Sequence, residues 1–511
     1  TSCCVAVFNN DYLFIQNGTL LSFHCVSRCS VPRLKQTVVG CLPVLYWLPR
    51  YSIWEYGMPD LISGISVGIM HLPQGMAYAL LASVPPVFGL YTSFYPPLVY
   101  FFFGSSRHIS IGTFTVLSIM VGSVTERLAP DSNFFIINGT NVTDSRRESF
   151  LFVSIQLVLG MVQFGFVGTY LSEPLVRAYT TAASAHAVVA QLKYIFGLSP
   201  ARFSGPLSMI YTLVEVCSLL PKTHLPTLTV SSVSIIVLIA AKEINAAFGK
   251  KLPVPIPVEL LTIVVGTLIS YYITLHSSYN ISVVGEIPSG LTMPSIPDRK
   301  IFGDVIKDAF ALAVVGYAIS ISLGKTFALK HGYRVDTNQE LVALGLSNMV
   351  GGFFQCFSVC SSILYSDTTM TMSQDRKYTV PLQMAGVSAA VIVLVTVLKL
   401  GPLFQQLPKA VLSAIVCVNL KGMFKQYYDV IMLWRTNRVD LVIWLVTYVS
   451  TLLFNLDMGL GASIAFALLT IVLRTQHPQY SILGQVPGTE LYMDLETHKE
   501  VPLLTTVNIL C

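Results

Sequence analysis

The chain is poor in charge. Of its 511 residues only 11% are Asp, Glu, Lys or Arg, where a soluble domain usually carries about 25%. That shortage excludes an ordinary soluble enzyme and a disordered chain. The net charge of +5 is too small over this length for a nucleic-acid surface. The sequence has no GxxxxGK[ST] loop, no HExxH pair and no nucleophilic triad, so nothing points to an ATPase or a hydrolase. The 10 cysteines mostly lie in or beside apolar runs without paired CxxC spacing. Cys25 and Cys29, near His24, make a lone CxxxC, a weak zinc pattern. No metal and no cofactor is expected. The residues before Arg33 lack the charged, apolar and cleavage regions of a signal peptide. The chain starts at Thr1 rather than Met, as an N-terminal fragment would.

What it has instead is apolar length: 53% hydrophobic residues and a mean hydropathy of +0.66. A bilayer core about 30 Å thick needs about 20 mostly apolar residues per spanning helix. The apolar stretches are continuous rather than alternating, which argues against an outer-membrane barrel. They fall near 60–83, 86–103, 112–127, 150–171, 176–197, 205–220, 227–247, 258–275, 304–324, 339–356, 383–399, 407–420, 439–455 and 459–474. The run 205–220 is brief and carries Glu215, so it reads as a peripheral piece. The stretch after 357 takes its place. The expected fold is an all-α polytopic membrane protein with about 14 segments. Pro73 lies inside the first run, and Pro85-Pro86 and Pro96-Pro97 follow closely. Helix breaks at membrane depth are tolerated where the freed backbone is buried or lines a cavity, which favours a transporter or channel over an anchor.

Orientation follows from sequons and basic loops. Asn138-Gly-Thr140 and Asn141-Val-Thr143 lie in the long polar loop after the third run, making Asn138 and Asn141 candidate glycosylation sites on the lumenal side. Asn280-Ile-Ser282 falls on that same side. Loops bearing Lys242, Lys250 and Lys251, then Lys325, Lys330 and Arg334, then Lys421, Lys425, Arg435 and Arg438, then face the cytoplasm, as the positive-inside rule asks. Both termini are expected there.

Two stretches have the pattern of helices that begin inside the membrane. In Arg107-His-Ile-Ser-Ile-Gly-Thr-Phe114 the β-branched residues suit a short extended piece. Gly112 punctuates it, and Thr113 could cap a helix running through Ser118. In the second half, Gly351-Gly352 is followed by an extended stretch and by Ser361-Ser362. A helix N-terminus carries about half a positive charge and attracts anions, and secondary transporters hold substrate between such half-helices. A seven-plus-seven inverted repeat would bring the two ends together. Few ionisable residues lie in the apolar runs. Glu340 is a possible coupling carboxylate, or else a first-turn acid favoured by the helix dipole. Gln74, after Pro73, and Tyr78, four residues on, share a helical face.

The motifs resemble those of the SulP anion transporters (solute carrier family 26). They are Asp60-Leu-Ile-Ser-Gly-Ile-Ser-Val-Gly68, Leu72-Pro-Gln-Gly-Met-Ala-Tyr-Ala79, Pro85-Pro-Val-Phe-Gly-Leu-Tyr91, Gly104-Ser-Ser-Arg-His-Ile-Ser-Ile-Gly112, Ser172-Glu-Pro-Leu-Val-Arg177, His331-Gly-Tyr-Arg-Val-Asp336 with Asn338-Gln-Glu-Leu341, and Leu407-Pro-Lys-Ala-Val411 with Asn419-Leu-Lys-Gly422. The match spans about 40–490, and the wording around 107–130 is most similar to the epithelial chloride/bicarbonate/oxalate exchanger of that family. The resemblance implies core and gate domains of an inverted repeat, elevator-like movement of the core, and an anion held between the third and tenth helices. The implied binding positions are Gln74, Tyr78 and Phe114, with Leu364 and Tyr365 on the tenth helix; the half-helix pattern adds Thr113, Ser361 and Ser362. It also implies small inorganic and organic anions as substrates, a lipid bilayer around the chain, and no nucleic-acid partner.

Two departures stand out. Where the family has a Ser-Arg pair facing the anion, this chain has Leu364 and Tyr365, and 367–377 has no counterpart in the family pattern. Similarity resumes near Gln383-Met-Ala-Gly386, an abrupt loss and return that favours a replaced segment. Arginine binds anions by charge and paired N–H donors, so its loss predicts weaker binding. Residues 476–511 resemble only the opening of the cytoplasmic STAS domain, expected here as one strand, and 1–50 fit a cytoplasmic N-terminal region. The transporter domain is expected over 51–475, with a homodimer when the C-terminal domain is whole. The expected function is exchange of chloride for bicarbonate, oxalate, sulfate or formate at the plasma membrane. The alternatives are an anion channel, a voltage-responsive motor, and a non-transporting product.

Overall fold

The computed structural model describes residues 42–106, 108–128, 172–200, 203, 206–248, 257–285, 290–291, 294, 302–361, 382–476, 480–485, 492–494 and 506–510. Asn138, Asn141, Ser362, Leu364 and Tyr365 lie outside the described residues, as do the apolar run 150–171 and the odd segment after 361.

Helix α1 (Ile53–Leu81) runs unbroken through Pro73. The interruption expected from the sequence at Pro73 is absent. Proline removes one backbone donor and frees the carbonyl four residues earlier. α1 packs against α2 and α11 and remains one helix. The real breaks come at the next prolines. They open α2 (Pro86–Thr92) and α3 (Tyr95–Phe103), each with proline in its first turn, where the missing N–H has no intrahelical partner to lose. The run 86–103 is therefore two helices. Gly89 presses on α1 so closely that a Cβ would stand 1.9 Å from the Gly75 carbonyl oxygen.

Strand β1 (Ile111–Gly112) then leads into α4 (Thr115–Leu128). After the undescribed stretch come α5 (Glu173–Phe196), α6 (Ser208–Leu219), α7 (Leu225–Phe248) and α8 (Val258–Ile273). The second half repeats the order with α9 (Phe302–His331), α10 (Thr337–Phe353), strand β2 (Cys360–Ser361) and α11 (Leu382–Val395). It closes with α12 (Lys409–Phe424), α13 (Tyr428–Thr436) and α14 (Arg438–Gln476). α6 is peripheral, as expected, with only Val216 of its residues buried.

α14 contains a kink at Asn455, whose φ of 69° and ψ of 175° are not helical. The apolar runs 439–455 and 459–474 meet there. The kink frees the Leu453 carbonyl, which accepts from the Leu207 N–H at 2.7 Å, while the Ser208 hydroxyl donates to Asn455 Oδ1 at 2.5 Å. The start of α6 is thus anchored on the break.

The helices sort into two groups. α1–α4 pack with α9–α11, and α5, α7 and α8 pack with α12–α14. The groups meet where α1 touches α8 and α12 and where α4 touches α5. The first members of each half thus share one bundle and the last members the other. Among the described residues four helices are long and apolar enough to cross a membrane: Leu225–Asn245, Asp308–Leu329, Met384–Phe404 and Arg438–Leu456. Shorter apolar helices lie at Thr115–Thr125, Val258–Ile273 and Met458–Arg474. Beyond α14 the chain forms three antiparallel strands in the order β4 (Tyr492–Asp494), β3 (Tyr480–Gln485), β5 (Thr506–Leu510), rather than one opening strand.

Candidate functional site

The two halves join at a short antiparallel ladder. Ile111 faces Ser361 and Gly112 faces Cys360. The extended stretch anticipated after Gly351-Gly352 is present as β2, reached by irregular chain from 356, and those glycines lie in the last turn of α10. α4 begins three residues past Gly112, inside a fully buried setting. Thr113, Phe114 and Thr115 are each no more than 4% exposed. The first N–H groups of a helix have no carbonyl partner within it, so this end presents donors and a partial positive charge to the interior.

Thr113 does not cap that helix. Its hydroxyl is buried and has no hydrogen-bond partner. Ser361 Oγ is in the same state, and so is the amide oxygen of Gln74, on α1. A buried polar atom left unpaired costs about 1–3 kcal/mol. Three of them fall among the residues expected from sequence to face a ligand, two on the joined strand ends and one on a helix packed against α4. Ser358 adds a third unpaired hydroxyl from the lead-in to β2. Both threonine and serine hydroxyls can donate to an anion, whereas the unpaired Gln74 atom is an acceptor oxygen. Tyr78, one turn beyond Gln74, is 2% exposed and its hydroxyl meets the Thr115 side chain. Tyr78 and Phe114 belong to one hydrophobic cluster with Phe357 and Cys360. The start of α4 is thus surrounded by buried rings and a few unpaired hydroxyls.

Glu340 lies elsewhere. It is 1% exposed in the first turn of α10 and is fully engaged. The Tyr100 hydroxyl donates to Oε2 at 2.8 Å. Oε1 accepts from the Ser105 N–H at 2.8 Å, the Ser105 hydroxyl at 2.7 Å and the Ser106 N–H at 2.7 Å. Its carboxylate grips the 104–106 turn that leads towards β1. The cap of α10 is Asp336, whose side chain accepts from the N–H groups of Asn338 and Gln339. The first-turn alternative describes Glu340's place on its helix. Its function there is a tie between the halves.

The sequence reading missed several residues that build the site. Ser320 on α9 accepts from the Ser361 N–H at 3.0 Å. Thr92 at the end of α2 accepts from the Phe357 N–H at 3.2 Å. Asn348 on α10 binds both backbone groups of Val359. No local pattern marks these residues, because each is a lone polar side chain in an apolar helix and its partner lies on another element. Across the other bundle, Lys242 on α7 pairs with Glu259 on α8 at 3.0 Å and contacts Asn419 on α12.

Two bundles of interleaved halves, joined at buried strand ends with a helix starting mid-protein, define an α-helical multi-pass membrane protein of inverted-repeat design. The sulfate permease family matches residues 58–447, and the chain belongs to that family. It is 51% identical to human solute carrier family 26 member 6 over 94% of this chain and 64% of that protein. Against zebrafish prestin the identity is 47%, over 94% of this chain and 66% of the other. This chain thus spans about two thirds of the length of these relatives. Among solved structures, the murine solute carrier 26 member A9 anion transporter in its inward-facing state superimposes with a TM-score of 0.82 at 37% identity, covering 99% of this chain and 81% of that one. These relatives are transporters or their kin, not enzymes.

Proposed function

We propose that the chain is the membrane part of a secondary anion exchanger, moving chloride against bicarbonate, oxalate, sulfate or formate. Its anion binds where α4 begins, between Gln74, Tyr78, Thr113, Phe114 and Ser361, with Ser362, Leu364 and Tyr365, which follow in the sequence, as further candidates. The observation that carries this reading is the set of unpaired buried hydroxyls at Thr113 and Ser361, beside an open helix N-terminus. Family membership and the likeness to an anion transporter structure support it. Alternating access comes from the bundle of α1–α4 and α9–α11 moving against the other bundle, since the strand ladder ties the site wholly to the first. Glu340 serves to hold the 104–106 turn rather than to carry a coupled charge.

The domain reading is a cytoplasmic 1–50, a transporter unit at 51–475 and the opening of a STAS-like domain at 476–511. The transporter unit has about fourteen membrane segments and sits in the plasma membrane, with both termini cytoplasmic and glycans on Asn138 and Asn141. With a complete C-terminal domain the protein works as a homodimer.

A second reading, a voltage-responsive motor, draws on the 47% identity to zebrafish prestin. The two separate in sealed vesicles reconstituted with the full chain. The exchanger predicts chloride efflux that needs a counter-anion outside. Voltage-driven charge movement without net efflux favours the motor, and no anion-dependent signal of either kind overturns both.

A further inference from the structure

The stretch 357–361 ends in β2, where Cys360 and Ser361 pair with β1. On its other edge the backbone groups of three alternate residues are each met by a different helix. Thr92 takes the Phe357 N–H, Asn348 takes Val359, and Ser320 takes the Ser361 N–H. Alternate residues of an extended strand share an edge, so these three contacts replace a missing neighbour strand and satisfy buried backbone groups that would otherwise be unpaired.

Asn348 does the most of the three. Its Oδ1 accepts from the Val359 N–H at 2.8 Å and its Nδ2 donates to the Val359 carbonyl at 3.2 Å. Only an amide side chain can accept and donate in this way at one residue. Nδ2 also donates to the Leu344 carbonyl, one turn back on the same helix, at 3.0 Å, which fixes the side chain's direction. Asn348 is 3% exposed. Glu340, two turns earlier and about 12 Å along the axis of α10, grips the lead-in to β1 through Ser105 and Ser106. One helix therefore holds the approach to both strands.

We infer that Asn348 is a positioning residue for anion binding, setting where Ser361 and the second half-site stand by clamping Val359, while Glu340 sets the first half-site from the same helix. Asn348 touches no anion in this account. It rests on the anion site proposed above. Losing the clamp leaves Val359 free to rotate its peptide groups. The register of Ser361 against Ile111 loosens, and the hydroxyl spends less time aimed at the anion.

The test uses the full chain in sealed vesicles, with chloride as the probe. Asn348→Leu removes both bonds, and Asn348→Asp keeps the acceptor but loses the donor. The half-saturating chloride concentration is expected to rise about tenfold in Asn348→Leu and about threefold in Asn348→Asp. Maximal flux per folded molecule should change less. Combined with Ser361→Ala, the Asn348→Leu effect should shrink, because the residue it positions is already silent. Lower folded yield with an unchanged half-saturating concentration would overturn the inference, and so would full additivity with Ser361→Ala. Wild-type vesicles with no saturable chloride flux would instead sink the anion reading itself, and the inference with it.

Discussion

Ile111 and Ser361, from opposite halves of the chain, face each other across a two-residue antiparallel ladder. Everything proposed for the site depends on this pairing. It sets Ser361 opposite the strand that leads into α4, and it links the two halves of the first bundle. The ladder is too short to be stable alone. It persists because side chains from α2, α9 and α10 satisfy its outer edge and Glu340 holds the turn before it.

The unpaired hydroxyls give a prediction with opposite signs for stability and function. Thr113→Val and Ser361→Ala delete buried polar atoms that have no partner within the protein, so the melting temperature of the purified protein should stay level or rise, with a change of about 1 kcal/mol or less. Chloride affinity should fall several-fold in each. Loss of stability without loss of affinity would assign these hydroxyls to the fold instead.

Glu340→Gln should behave the other way. An amide presents two hydrogens where Ser105 and Ser106 already offer donors, so at least one contact becomes repulsive. A cost of about 2–4 kcal/mol is expected, read as a lower melting temperature and a smaller folded fraction. A variant that melts like wild type but exchanges with altered stoichiometry would restore the coupling role for this carboxylate.

Gly89→Ala tests the close approach of α2 to α1. A Cβ 1.9 Å from the Gly75 carbonyl oxygen cannot be accommodated without moving α2. Overpacking of this kind costs about 1–3 kcal/mol, and because Gly75 adjoins Gln74 the affinity for chloride should fall too. Unchanged melting and affinity would mean that the helices separate more easily than their packing implies.

The departure at Leu364 and Tyr365 can be tested by reversal. Introducing the family's pair, Leu364→Ser with Tyr365→Arg, should raise anion affinity several-fold to many-fold, since an arginine adds full charge and paired donors to a site otherwise served by helix ends worth about 0.3–2 kcal/mol each. No gain would place the charge of this site elsewhere in the chain.

Much of this architecture was legible in the sequence. The runs 227–247 and 258–275 became α7 and α8 to within two residues, and 304–324 became α9, which continues to His331, because a long apolar stretch in a charge-poor chain has few other structures open to it. The β-branched rhythm of Ile109 and Ile111 before Gly112 gave the strand and the helix start. What stayed hidden depended on distant partners. Pro73 read as a break because a proline's cost is local, whereas the packing that keeps α1 whole comes from α2 and α11. Thr113 read as a cap because its position fitted, and only the three-dimensional setting shows its hydroxyl without a partner. Asn348, Ser320 and Thr92 look like ordinary polar residues in helices until the strand they hold is placed beside them.

The central claim is that an anion sits between Thr113 and Ser361 at the start of α4. It is tested most directly by crystallising the full chain in bromide and mapping the anomalous signal. The account predicts a bromide peak within hydrogen-bonding reach of both hydroxyls, lost in the Thr113→Val, Ser361→Ala double variant. Bromide bound elsewhere, or a peak that survives the double substitution unchanged, would contradict it.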